Sequence, residues 1–178
     1  MNHHPHQTAH HGGHDAFLHT HVEPFEVSAK ASAADIVRGM AGTAFQARNL
    51  AQAVHIWRSM LEDEVTIFLG LAGAMVPAGM RNVIRYLVEN RLVDVVVSTG
   101  ANMFHDVYET LGKPHWQTSP DADDVELGRR RINRFYDVLA PENDFADAEE
   151  FVVAFSQTLA SDRPYSTREY FQRLGEAL

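Results

Sequence analysis

Two short apolar runs, each ending in a loop of small residues that opens into helix-like sequence, make up VTIFLGLAGAMVPAGMRNVIRYLVENRLVDVVVSTGANMFHDVYETL between Val65 and Leu111. Val65-Thr66-Ile67-Phe68-Leu69 and Val93-Asp94-Val95-Val96-Val97 are β-branched and nearly continuous in apolar character, as parallel strands covered on both faces should be. Between them Met80, Val83, Ile84 and Leu87 recur at helical spacing while Arg81, Arg85 and Glu89 fall elsewhere. This predicts an amphipathic crossover helix and a right-handed β-α-β unit. Both loops then lie at one edge of the sheet.

Ligands of open parallel sheets bind beyond the carboxyl ends of the strands, where helix N-termini offer free N–H groups and partial positive charge. Gly70, Gly73 and Gly79, with Ala72, Ala74 and Ala78, strip side-chain bulk from the first loop, and Pro77 suits an early helical position. Ser98-Thr99-Gly100-Ala101 does the same for the second. The glycine spacing departs from G-x-G-x-x-G. On pattern alone the loops are either ligand cradles or tight turns that only pack.

A chain of 178 residues with 45% apolar content has material for one sizeable core, and one domain is expected. The absence of cysteine excludes disulfides and thiolate metal sites. No apolar run approaches the roughly 20 residues of a membrane span, and no secretory core is visible, so a cytoplasmic protein with no membrane partner is expected. The net charge of −9 argues against nucleic acid. Arg129-Arg130-Arg131 with Arg134 reads as a solvated helix face paired with nearby acids.

Residues 1 to 30 read as a flexible tail holding eight of the eleven histidines. His3, His4, His6, His10, His11 and His14 could hold Zn²⁺ or Ni²⁺ loosely, but without fixed geometry no metal site is expected. Ser32-Ala33-Ala34-Asp35 resembles a capping box, and Leu50, Val54, Trp57 and Leu61 share a helix face. His55 reads as a satisfied structural histidine. A polar loop is expected from Lys113 to Asp124, then helices over 124–140, 146–160 and 166–177, the last opening at Ser166-Thr167-Arg168-Glu169. His105-Asp106 lies one turn past the second loop and reads either as an acid–base pair or as structural.

These stretches also carry a family resemblance. Gly42-Thr43-Ala44-Phe45-Gln46-Ala47-Arg48-Asn49-Leu50, Ile67-Phe68-Leu69-Gly70, Pro77-Ala78-Gly79-Met80-Arg81 and Val93 through Ala101 resemble deoxyhypusine synthase, over about Ala33 to Leu178. Gly73 to Gly79 with Thr99 to Asp106 resemble its bacterial deoxyhypusine-synthase-like branch. The resemblance implies a three-layer, Rossmann-like α/β fold with extra helices, present as a partial domain over 31–178. It implies NAD as cofactor, with Gly73, Ala74, Met75, Val76, Pro77, Thr99, Gly100 and Ala101 lining its site. The family oxidises spermidine and moves an aminobutyl group onto a lysine of a translation initiation factor, which implies a polyamine-type substrate, a protein acceptor and a homotetramer with sites at subunit interfaces.

Phe104-His105 stands where a pair of glutamates helps bind the polyamine, so Phe104, His105 and Asp106 are the expected substrate-facing residues. The catalytic lysine of the family lies in a second half beyond the expected end of this domain, and neither Lys30, in the tail, nor Lys113, in an exposed Gly-Lys-Pro turn, replaces it. The expectation is a half-site with no catalytic residue, inactive alone. Two alternatives are a non-catalytic regulatory or assembly partner of a full-length paralogue, and an unrelated small α/β binding protein.

Overall fold

The computed structural model describes residues 18–178; the start of the expected tail, with His3, His4, His6, His10, His11 and His14, lies outside the described residues. The chain divides into two compact units, Met1–Val65 and Thr66–Leu178.

In the first unit Ser32 starts helix α1 (Ala33–Gly39) with the expected capping box: its hydroxyl accepts the Asp35 N–H at 3.2 Å and its own N–H donates to the Asp35 carboxylate at 2.9 Å. These bonds, with Arg38 beside them, hold the Asp35 carboxyl down to about 2. A 3-10 turn, Met40–Gly42, leads to α2, Phe45–Glu62. On α2 Ala51 is buried and Trp57 half-buried, but Leu50, Val54 and Leu61 are exposed. His55, expected to be a satisfied structural histidine, is exposed as well. Residues 18–30 hold no helix or strand, yet the Glu23 N–H donates to the Gly42 carbonyl at 2.8 Å. Phe25 lies so close to Gly39 that a Cβ there would come within 2.4 Å of its ring. The expected tail is therefore tied down from about Glu23, where a backbone bond and a ring contact fix it.

The second unit opens with the predicted strand pair. β1 (Phe68–Leu71) and β2 (Val95–Ser98) run parallel, with Phe68 opposite Val95 and Leu71 opposite Ser98. Each begins two or three residues later than its apolar run, because Asp94 and Ile67 are spent on joining the strands. The Ile67 N–H donates to the Asp94 carboxylate at 2.7 Å, and the Ile67 carbonyl accepts from the Asp94 and Val95 N–H groups at 3.0 and 3.1 Å. The connection is a wide π-type turn, Val76–Met80, running into α3, Arg81–Glu89. β2 leads into α4, Gly100–Thr110.

The expected helix over 124–140 is corrected. Asp123 caps α5 (Asp124–Arg129) by accepting the Val125 N–H at 2.9 Å. Arg131 then takes a positive φ of 56°, which ends the helix, and the chain forms a hairpin of β4 (Ile132–Phe135) and β5 (Val138–Pro141) that turns at Tyr136, φ 57°. Within the expected polar loop, Trp116–Gln117 forms a short strand, β3, against β5, giving an antiparallel sheet ordered β3-β5-β4. Helix α6 covers Glu142–Thr158 and α7, capped by Ser166, covers Thr167–Ala177. The arginines pair as expected, Arg130 with Glu126 at 2.7 Å, Arg131 with Glu142 at 3.1 Å and Arg134 with Asp124 at 2.6 Å, although only the first two residues of the run lie at a helix end.

The core of this unit is aromatic. Tyr108, Ala140 and Ala148 are fully buried, with Phe104, Leu111, Phe135 and Phe145 packed around them. The two alanines let α6 and β5 approach the Tyr108 ring closely. Among the described residues no helix is long and apolar enough to cross a membrane.

Candidate functional site

The loops after β1 and β2 are knitted to each other. The Thr99 N–H donates to the Leu71 carbonyl at 3.2 Å, extending the ladder by one bond, and the Thr99 hydroxyl donates to the Gly73 carbonyl at 3.3 Å. Asn102, fully buried, accepts the Val76 N–H on Oδ1 at 3.2 Å and turns its amide nitrogen toward the Thr99 hydroxyl, 3.5 Å away. Gly73, φ 63°, and Gly79, φ 84°, bend the first loop through the left-handed region that glycine adopts without strain.

This surface suits an anionic group such as a dinucleotide. No side chain caps the start of α4, so its leading N–H groups carry partial positive charge without a side-chain partner. A Cβ placed on Gly70, Gly73 or Gly100 would meet nothing within 4 Å, and so a ligand could lie directly on backbone there. Of the residues expected to line a cofactor site, Gly73, Met75, Thr99, Gly100 and Ala101 are exposed and Ala74 half-buried. Val76 and Pro77 are buried, and the Val76 N–H is already used by Asn102. They shape the loop from beneath.

Of the three residues at 104–106, Phe104 and His105 enter one aromatic cluster and Asp106 turns away from it. Phe104 packs on Phe145, ring centroids 5.2 Å apart, and His105 is buried among Phe104, Tyr108, Phe135 and Phe145. The His105 Nδ1 lies 3.0 Å from His115 Nε2, and the His115 Nδ1 lies 2.8 Å from the Glu109 carboxylate. Burial first, and His115 second, push the His105 pKa down to about 4. Asp106 faces the other way and receives a hydrogen bond from Arg81 Nε at 2.6 Å, while Arg81 also reaches the Thr110 hydroxyl. His105 and Asp106 are not a catalytic dyad: each has its own partner on a different side of α4.

Asn102, Arg81, Glu109 and His115 are the site residues that the sequence reading does not single out. Asn102 had a usable signal. It occupies the third position of α4 after Thr99, where a capping side chain normally turns back to the helix start. His115 had none, since it sits in an aperiodic stretch between prolines.

The Lys113 amine is not exposed as expected. It donates to Asp144 at 3.1 Å and to Asp147 at 2.6 Å, bonds that raise its pKa. Among the described residues no cluster of three His, Cys, Asp or Glu side chains is arranged to hold a metal ion.

The family model for deoxyhypusine synthase matches residues 35–178. The chain is 42% identical over 166 residues to "Probable deoxyhypusine synthase 2" of Methanosarcina mazei, covering 93% of this chain and 48% of that protein. It is 38% identical over 143 residues to the "Deoxyhypusine synthase-like protein" of Chlorobaculum tepidum, covering 79% of this chain and 41% of the relative. A solved structure from Entamoeba histolytica, assigned as a deoxyhypusine synthase, superposes with a TM-score of 0.54 at 19% identity, over 83% of this chain and 51% of that one. That likeness shows the fold. The chain spans about half the length of the curated relatives it matches. With its matched region running through both loops and the aromatic core, the chain belongs to the deoxyhypusine synthase family.

Proposed function

We propose that this chain supplies the nucleotide-facing part of an NAD-dependent transferase that moves an aminobutyl-type group from a polyamine to an acceptor amine. The observation that carries this reading is the pair of interlocked loops at one end of two parallel strands, with the start of α4 capped by no side chain, in a chain of this family. Backbone N–H groups of Gly73 to Met75, Gly100 and Ala101 would hold the dinucleotide, with Thr99, Val76 and Pro77 shaping the loops around it. When bound, NAD would accept a hydride from the amine donor. Of the residues expected on the substrate side, Phe104 and His105 are packed in the aromatic core and Asp106, part-exposed beside Arg81, is the one that would be reachable; with no paired carboxylates at 104–105, a polyamine-type donor would lose countercharge and its identity would differ from that of a glutamate-paired site. The wider reading is a three-layer, Rossmann-like domain in a cytoplasmic homotetramer, with a protein among the possible acceptors.

Calorimetric titration with NAD tests this. Saturable uptake that weakens in Gly73→Val, where a φ of 63° strains a β-branched side chain that would project into the open face, supports it. Identical uptake by the variant would reduce the loop to a packing turn.

A second reading, a non-catalytic regulatory or assembly partner of a full-length paralogue, is favoured by the lysines. Lys113 is held by two carboxylates and Lys30 stands exposed in the first unit. Mixing the chain with such a paralogue and measuring the turnover of the mixture separates the two.

A further inference from the structure

We infer that Asn102 is a positioning residue that locks the 72–80 and 98–101 loops into one binding surface; the inference rests on the nucleotide reading for its ligand but not for its geometry. A cradle made of backbone has no side chains with which to fix itself, and glycine-rich loops lose the most conformational freedom when ordered. Something else must hold Gly73 to Val76 against Thr99 to Ala101. Asn102 is the residue that reaches both: its Oδ1 accepts from Val76 of the first loop, and its amide nitrogen faces the Thr99 hydroxyl, which in turn donates to Gly73.

Both ends of a primary amide are needed for this. Aspartate keeps the acceptor and loses the donor, leucine loses both, and a fully buried amide is costly unless its bonds are made. Asn102 lies outside the aromatic cluster around Tyr108, Ala140 and Ala148. Its burial therefore serves the loops.

The test pairs hydrogen exchange with ligand titration on the full chain. In Asn102→Ala the amides of Val76 and of residues 98–101 exchange faster, those around Tyr108 and Ala148 keep their protection, and NAD affinity falls about tenfold or more, the equivalent of one buried bond network. In Asn102→Asp the Val76 amide stays protected while residues 98–101 open. Unchanged exchange in both segments of the alanine variant overturns the inference whether or not NAD binds. So does loss of protection spread evenly over the whole unit, which would mark Asn102 as ordinary core, and the aspartate variant decides the same point if the alanine variant fails to fold. Local opening of the two loops in Asn102→Ala, where the wild-type chain takes up no NAD, would uphold the positioning role and overturn the nucleotide reading.

Discussion

His105 and His115 face each other ring to ring, Nδ1 to Nε2 at 3.0 Å, and the far side of His115 is bonded to Glu109 at 2.8 Å. The aromatic wall around His105 admits the neutral imidazole far more readily than the charged one, which puts its pKa at about 4, below the ordinary 6.5. In the unfolded chain the same ring takes up a proton below about 6.5. Stability from this group is thus complete above pH 6.5 and is lost as pH falls toward 4, at no more than about 1.4 kcal/mol per pH unit. Urea unfolding at a series of pH values should show this decline in the wild type and a flatter one in His105→Phe. The groups facing the ring are His115, Tyr108 and three phenylalanines, with Glu109 behind His115, so equal slopes would assign the decline to groups other than His105.

Tyr108 anchors the same cluster. Its ring is fully buried, its hydroxyl donates to the Pro114 carbonyl at 3.2 Å, and burial, with the Asp144 charge adding to it, pushes the phenol up to about 12. Tyr108→Phe removes one hydrogen bond and should destabilise by about 1 kcal/mol. Tyr108→Ala leaves a cavity and should destabilise by about 3–5 kcal/mol. Denaturant midpoints distinguish the two, and similar losses in both variants would mean that the hydroxyl, rather than the ring, dominates.

The parallel pair is legible in sequence because Val95 to Val97 and Ile67 to Leu69 are apolar on both faces, and that density has few other uses. The hairpin over 132–141 is hidden. Its turn is made by Tyr136 and Asp137 with no glycine, Tyr136 taking φ 57° itself, and the arginine run before it continues a helical spacing without a break. The two loops are legible from their small residues. The bonds that lock them are not, because Asn102 finds Val76 across 26 residues of chain, a distance at which local pattern is silent. His115 is hidden because it sits in an aperiodic stretch between Pro114 and Pro120.

Gly100 offers a cleaner probe of the ligand than Gly73. It sits at the first position of α4 with no positive φ and nothing within 4 Å of a Cβ built on it. Alanine there should leave stability unchanged or raise it by up to about 1 kcal/mol, since glycine is the poorer helix former. If a dinucleotide lies against this backbone, Gly100→Ala weakens NAD binding while thermal stability holds. Weaker binding together with a lower melting temperature would instead indicate a distorted helix start.

The two lysines differ in how readily each can serve as an amine nucleophile. Imine formation needs a neutral amine, and Lys113, bonded to Asp144 and Asp147, has its pKa raised above the usual lysine value, so at neutral pH it is an ammonium with both neighbours accepting from it. Lys30 is exposed and has no carboxylate bonded to its amine among the described residues. Reductive alkylation with a small aldehyde and cyanoborohydride should therefore label Lys30 well ahead of Lys113. Replacing Asp144 and Asp147 together by asparagine should raise Lys113 labelling several-fold, because the amine then loses the charges that hold its proton. The 178-residue chain, incubated with NAD and labelled spermidine and then trapped with borohydride, should retain no label. Label on Lys113 under those conditions would mean that the carboxylate pair activates the amine instead of storing its proton, and the half-site and regulatory-partner readings would both fall.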